Sequence, residues 1–302
     1  GGPSTISPSS LVDGYRSYHF QIVIGTPVST PSISRDTPYY SRILWGAEHE
    51  CQKLGHLCTM FFIRENTAPE EILRLCGKAD GNAVLMTNDV KRFEFLRKLT
   101  CLAMINHPSP QGQFTSFASD EFESMQHIVM HLHKLGHRRI RYFHINHTSP
   151  PNMHFIRRHA AFLALKSHPD LGLEQCSAKI INKNPEKGPS IKDYLQMWME
   201  EPNRPTAIVA ASDAFALKFI KGAQDSGIRV PEDISVTGID DREFADSISP
   251  ALTTIRQPLE DLGASAIRWL HSKLTGSVLL PTQNLLSVEL KVRESTGPAP
   301  YL

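Results

Sequence analysis

TAIVAASDAFALKFIKGAQDSGIRVPEDISVTGIDDREFADSISPALTTIRQP, residues Thr206 to Pro258, switches between two apolar patterns. Ile208, Val209 and Ala210 form a short continuous run, the signature of a strand buried on both faces. Ser212 and Asp213 follow, with side chains suited to capping a helix. Ala216, Leu217, Phe219, Ile220 and Ala223 then recur at helical spacing until Gly227 stops the helix. Val230-Pro231 makes a turn, and Ile234 to Thr237 form the next strand. Gly238-Ile239-Asp240-Asp241 puts two carboxylates at the carboxyl end of that strand, where open parallel sheets bind ligands. The stretch is a strand–helix–strand unit with a polar rim, and it points to an α/β fold.

The same alternation runs outward in both directions. Upstream, strands are expected at Phe20 to Gly25, His56 to Ile63, Ala83 to Met86, Leu102 to Asn106, Ile140 to Ile145 and Ala178 to Asn182. Helices are expected at Pro38 to Leu54, Pro69 to Cys76, Val90 to Leu99, Asp120 to Leu135, Phe155 to Lys166 and Ile191 to Met199, with a late one at Leu259 to Leu274. Glu70 and Glu71 follow Pro69, as suits a helix start. Asp120 and Glu123 have the D-x-x-E spacing of a capping box. Residues 1–19, rich in Gly, Pro and Ser, read as a linker. Periodicity alone gives α/β with parallel sheets.

Composition narrows the class. Hydrophobic residues make up 40% and charged residues 21% of 302 residues, enough apolar content for a packed core and too little charge for a disordered chain. The formal charge of +1 lacks the basic excess of a nucleic-acid-binding surface. No apolar run approaches the roughly 20 residues that span a membrane. Cys51, Cys58, Cys76, Cys101 and Cys176 are odd in number and lack zinc or redox-motif spacing, so they read as reduced thiols of a cytoplasmic fold.

The strings AASDAFAL, RVPEDISVTGIDD and TTIRQP, with Leu262-Gly263 beyond, closely resemble the effector-binding core of the LacI/GalR family of bacterial transcriptional regulators. HLHKLGHRRIRYF (His131 to Phe143) is similar to the family's helix-to-strand junction, and ELKVREST (Glu289 to Thr296) to its usual ending. The matches keep family order from about Phe20 to Thr296. The resemblance implies two Rossmann-like lobes of the periplasmic-binding-protein type I, with three crossovers near Ala118–Ser119, Arg256–Gln257 and Leu286–Ser287. One lobe would take residues 20–118 and 256–286, the other 119–255 and 287–302. It further implies a homodimer and a hinged cleft that binds a small polar metabolite, a sugar above all.

Site residues follow from the same resemblance. From the helix pattern alone Arg158, in RHAAFLAL, reads better as a surface arginine; the resemblance reverses this, since it matches the family's cleft arginine, whose forked donors can hold two ligand oxygens. Asp240 can accept from ligand hydroxyls or cap a helix from Asp241 to Ala245. Gln257 can donate and accept. Tyr39 and Tyr40 occupy the paired aromatic position at the start of the first helix, where a ring can stack on a ligand or simply pack the lobe. Ser212 stands where the family commonly has Asn, Asn106-His107 where it has Asp-Arg, and Pro185 near a common cleft aromatic. These departures put the usual sugar specificity in doubt.

Other chemistries find little support. His127 and His131 lie four apart on one helix with His133 beside them, yet H-E-x-x-H is absent and no cysteine pair joins, so a solvated face is the better reading than a metal site. His144 and His147 read as ordinary loop residues. No Walker loop, G-x-S-x-G or G-x-G-x-x-G occurs, so neither a cofactor nor catalysis is expected. Regulators of this family bind operator DNA through a domain before the first core strand, a helix-turn-helix or, in some, a GntR-type winged helix. Residues 1–19 spell neither, so that part is expected outside this chain. The alternative reading is a free-standing solute-binding protein of a sugar transporter, which shares the fold.

Overall fold

The computed structural model describes residues 11–12, 15–26, 37–64, 67–85, 96, 98–106, 114–146, 153–173, 175–182, 190–277 and 280–301. The chain divides into two compact units, residues 1–119 with 258–286 and residues 120–257 with 287–302, so it passes between them three times. A small antiparallel hairpin, β1 (Leu11–Val12) and β2 (Tyr15–Arg16), precedes the first sheet.

The first unit is built on six parallel strands: β3 (His19–Thr26), β4 (Leu57–Arg64), β5 (Gly81–Leu85), β6 (Leu102–Ile105), β7 (Thr115–Ser119) and β13 (Gln283–Leu286). Their spatial order is β13-β7-β6-β5-β3-β4, which makes β4 and β13 the edges. Phe20, Ile22 and Ile24 of β3 face one layer, and Val23 faces the other. This period-2 split gives the sheet two apolar faces, and both must be covered. Helices α1 (Thr37–Lys53) and α7 (Leu259–Leu274) cover one of them, and α2 (Pro69–Cys76) packs Ile72 against the other. The pair α1 and α7 meets backbone to backbone: a Cβ on Gly46 would lie 2.0 Å from the Glu260 carbonyl oxygen, and one on Gly263 2.0 Å from that of Ile43.

The second unit repeats the plan with strands β8 (Arg139–Asn146), β9 (Gln175–Asn182), β10 (Ala207–Ala210), β11 (Ser235–Ile239), β12 (Thr253–Arg256) and β14 (Glu289–Lys291). The order is β14-β12-β11-β10-β8-β9, all parallel except the antiparallel edge strand β14. Helices α3 (Glu121–Lys134), α4 (Met153–Lys166), α5 (Ile191–Met199) and α6 (Asp213–Gln224) complete it. Phe143 sits at the centre of the core, edge-on to Phe219 at 4.8 Å and to Trp198 at 5.8 Å. Such pairs add about 0.5–1.5 kcal/mol beyond area burial.

Some local expectations need correction. Ser212 stands at the N-cap of α6, but its side chain makes no cap bond. Asp120 caps α3 by accepting from the backbone of Phe122 and Glu123, whereas Glu123 does not close the box and accepts from the Val288 amide at 3.0 Å instead. Strand β7 was not expected between Asn106 and Asp120. The helix expected over Val90 to Leu99 falls largely outside the described residues, as do His107, His147 and Pro185.

Candidate functional site

Each sheet gathers polar groups at the carboxyl ends of its strands. In the second unit the anchor is Arg158 on α4, almost fully buried. Its Nε donates to Glu121 Oε2 at 2.6 Å and its Nη1 to the Ala211 carbonyl at 2.6 Å, just past β10; Nη2 lies 3.9 Å from Asp240 Oδ1. The fork expected to serve a ligand is thus largely engaged within the protein. Glu121 was not among the expected residues. It sits in the first turn of α3, buried, with His154 Nδ1 at 2.9 Å from its other oxygen. Burial by itself would raise the Glu121 carboxyl, but the charge of Arg158 and the bond from His154 overcome it and hold the pKa at about 2.

Asp240 follows β11 directly. Gln257, buried just after β12, donates its Nε2 to Asp240 Oδ1 at 2.7 Å, and Arg242 Nε stands 3.9 Å from Oδ2. Burial raises the Asp240 pKa against the pull of Arg158 and Arg242. The helix-cap reading of Asp240 is not met: the short 3-10 turn Glu243–Ala245 begins after Arg242. Asp241 is clamped by Arg256 and Arg293, each at 2.6 Å.

Asp213, read from sequence only as a possible cap, ties this rim together. Thr254 Oγ1 donates to its Oδ1 at 2.5 Å and the Arg242 amide to its Oδ2 at 2.8 Å. Burial, and then the nearby Asp240 carboxylate, push its pKa up to about 7. Gly238 lets β11 pass close by, since a Cβ there would meet Asp213 Oδ1 at 2.3 Å.

In the first unit the counterpart is neutral. Asn106, buried just after β6, donates from Nδ2 to the Tyr39 hydroxyl, and its Oδ1 accepts from the Ser119 amide at 3.3 Å. Tyr39 and Tyr40 meet edge-on at 5.5 Å and both pack on the core layer under α1, as the packing reading of these rings requires.

Among the described residues, Asn106 (φ 50°), Asp240 (φ 132°) and Asp241 (φ 49°) are the non-glycine residues with positive φ. Asn and Asp visit the left-handed region at lower cost than most residues. Asp240 lies well outside it, and strain of this kind collects at ligand sites. Among the described residues no group of three or more His, Cys, Asp and Glu is arranged to hold a metal ion. His131 instead contacts Thr296 Oγ1 at 2.9 Å.

Two doubly wound sheets, each with polar groups at its strand ends, define a sensor or binding domain of the periplasmic-binding-protein kind. The family profile for the periplasmic binding protein-like domain matches residues 129–296. The chain belongs to that family, in the form that serves as the effector-sensing domain of LacI-family transcriptional regulators. It is 27% identical over 297 residues to the NTD biosynthesis operon regulator NtdR of Bacillus subtilis, covering 96% of this chain and 86% of the relative. A LacI transcriptional regulator from a Rhodococcus species superposes with a TM-score of 0.74 at 20% identity, over 93% of this chain and 100% of the other. A LacI-family regulator from Enterococcus faecium with bound ribose gives 0.70 at 20% identity, over 92% and 99%.

Proposed function

We propose that this domain binds an uncharged, hydroxyl-rich effector such as a sugar or nucleoside, and that Asp240, Gln257 and Arg158 Nη2 hold it in the second unit. Asn106, Tyr39 and Tyr40 of the first unit, Tyr40 as an apolar wall, and Ser212 at the start of α6 are further ligand-binding candidates. The observation that carries this reading is that the guanidiniums of the rim already face carboxylates. Arg158 is bonded to Glu121, Arg256 and Arg293 to Asp241, and Arg242 stands 3.9 Å from Asp240. A phosphate or carboxylate would have to compete with these partners for its donors. The ribose held by the Enterococcus faecium neighbour is of the same uncharged class.

On this reading the domain is a switch, not an enzyme, and works in the cytoplasm as a homodimer. Its effector modulates operator binding by a separate DNA-binding part. Two-fold operators call for a dimer, which sedimentation at micromolar concentration tests.

A thermal-shift panel of sugars, nucleosides and their phosphates tests the site. A ligand at 100 times its dissociation constant adds about 2.7 kcal/mol. The shift should shrink in Asp240→Asn and Tyr40→Ala. Arg158→Ala is the poorer probe, because it strands Glu121. A phosphorylated hit that binds more tightly than its parent sugar would reject the charge argument, and a hit unaffected by both variants would reject the site.

A further inference from the structure

A cavity of about 370 Å³ opens in the first unit, lined by residues with no part in the site proposed above. Small-molecule pockets run from about 300 to 1,000 Å³, so it has room for one substituted ring. Arg268, Trp269 and Ser272 line it from the second half of α7, Phe117 and Asn284 from β7 and β13, and Ser277 from just past the helix. This is the opposite end of the sheet from Asn106. The last turns of α7 lie by the amino ends of the strands, where the Tyr18 hydroxyl, one residue before β3, donates to the Leu274 carbonyl at 3.4 Å. Asn106 instead follows the carboxyl end of β6.

The lining carries hydrogen-bonding capacity that the fold does not use. Asn284 Nδ2 donates to the Ser116 carbonyl at 3.2 Å and to Thr282 Oγ1 at 3.1 Å. A carbonyl can only accept, so the first of these bonds fixes which end of the amide is the oxygen. That oxygen, the Trp269 indole N–H and the hydroxyls of Ser272 and Ser277 have no hydrogen-bond partner among the described residues. An acceptor, a donor and two hydroxyls able to act as either thus belong to a cavity that also has an aromatic lining. Phe117 is buried in the core layer under α7, and Trp269 packs against that layer while partly exposed.

Charge narrows the class of ligand. No carboxylate lines the cavity, and its guanidinium is already engaged: Arg268 Nη1 donates to Glu50 Oε2 and Nη2 to Ser265 Oγ, each at 2.9 Å. A carboxylate or phosphate would have to compete with Glu50. A cationic ring is disfavoured too, because Lys273 Nζ stands 5.0 Å from the centre of the Trp269 ring. We propose that this cavity is a second ligand site, one that takes an uncharged aromatic molecule bearing a hydroxyl or amide group. Its ring packs on Trp269 in the offset or edge-on way that aromatic groups prefer. Asn284 Oδ1 accepts from the substituent, and the Ser272 and Ser277 hydroxyls complete its bonds.

The test uses the whole chain labelled with fluorotryptophan and read by fluorine NMR, with para-hydroxybenzamide as the probe. The chain has three tryptophans: Trp269 at the cavity, Trp45 exposed on α1 and Trp198 buried in the core of the second unit. Replacing each in turn with phenylalanine assigns the signals. The Trp269 signal should move and saturate at millimolar probe or below, while those of Trp45 and Trp198 stay in place. Asn284→Ala should weaken binding about tenfold by removing the acceptor. Unmoved Trp45 and Trp198 signals in that variant show that both units remain folded. Ser277 is exposed and lies outside helix and sheet, so Ser277→Ala keeps the fold and should weaken binding about threefold. Asp240→Asn should leave binding unchanged. The proposal is overturned if the Trp269 signal does not move at millimolar probe, if both cavity variants bind as tightly as the parent, or if para-hydroxybenzoate binds more tightly than the amide. A response lost in Asp240→Asn but kept in Asn284→Ala would put the ring at the strand ends of the second unit and overturn it as well.

Discussion

The two sheets end in opposite chemistry. At the strand ends of the second unit, charged groups are buried and matched one against another: Arg158 with Glu121, Asp241 with Arg256 and Arg293. At those of the first, an asparagine and two tyrosines do the same work without formal charge. A buried charge is tolerated only while its partner is present, whereas a neutral amide or hydroxyl loses one ordinary bond when disturbed. The second unit therefore concentrates its sensitivity in a few ion pairs. The first should instead be sensitive to shape.

The largest effect expected is that of Arg158→Ala, which leaves Glu121 buried beside His154 alone and should cost about 3–5 kcal/mol in urea denaturation. Glu121→Gln in the same chain should recover part of that loss; no recovery would mean that packing rather than charge sets the cost. Gly263→Ala probes the first unit in the matching way. Its Cβ would collide with the Ile43 carbonyl oxygen, and about 1–3 kcal/mol should be lost with no dependence on salt or pH.

Acid–base behaviour sharpens the contrast within the second unit. Asp213, raised from 3.8 to about 7, holds a proton in the folded state that the unfolded chain has released. Its contribution is full below about 4 and is lost as pH rises towards 7, by at most about 1.4 kcal/mol per pH unit. Glu121, lowered from 4.5 to about 2, acts oppositely: its stabilisation is present above 4.5 and lost as pH falls towards 2. Stability measured in urea from pH 4 to pH 8 should flatten in Asp213→Asn; an unchanged slope would show that Asp213 titrates normally. The smallest effect belongs to Tyr39→Phe, which removes the acceptor for Asn106 and should cost about 1 kcal/mol. A loss of 3 kcal/mol or more there would erase the distinction between the two units.

Much of the fold was legible because buried strands and amphipathic helices have different apolar periods. The helix expected at Ile191 to Met199 is α5, and that at Leu259 to Leu274 is α7, to the residue. Strand β7 was missed because TSFAS is polar yet wholly buried, so neither alternation nor an apolar run marks it. The candidate site was legible only where strand ends mark it. Asp240 and Gln257 follow β11 and β12, and the structure brings them together with Arg158. Glu121 was invisible because an acid in a first helical turn already has a reason to be there. Its partner lies on another helix, and no spacing rule links Glu121 to Arg158. Asp213 was hidden in the same way, as an ordinary helix-start aspartate.

The glycines between α1 and α7 have a mechanical consequence. Where most helices rest on layers of side chains that can repack, these two touch through main-chain atoms at Gly46 and Gly263, with Arg42 clasping Glu260 through two bonds of 2.6 and 2.8 Å. Such a joint leaves no room for a side chain between the two helices. Helix α7 starts two residues after Gln257, and α1 carries Tyr39 and Tyr40 in its first turn. The aromatic pair thus stands at the start of a helix that cannot shift without its partner.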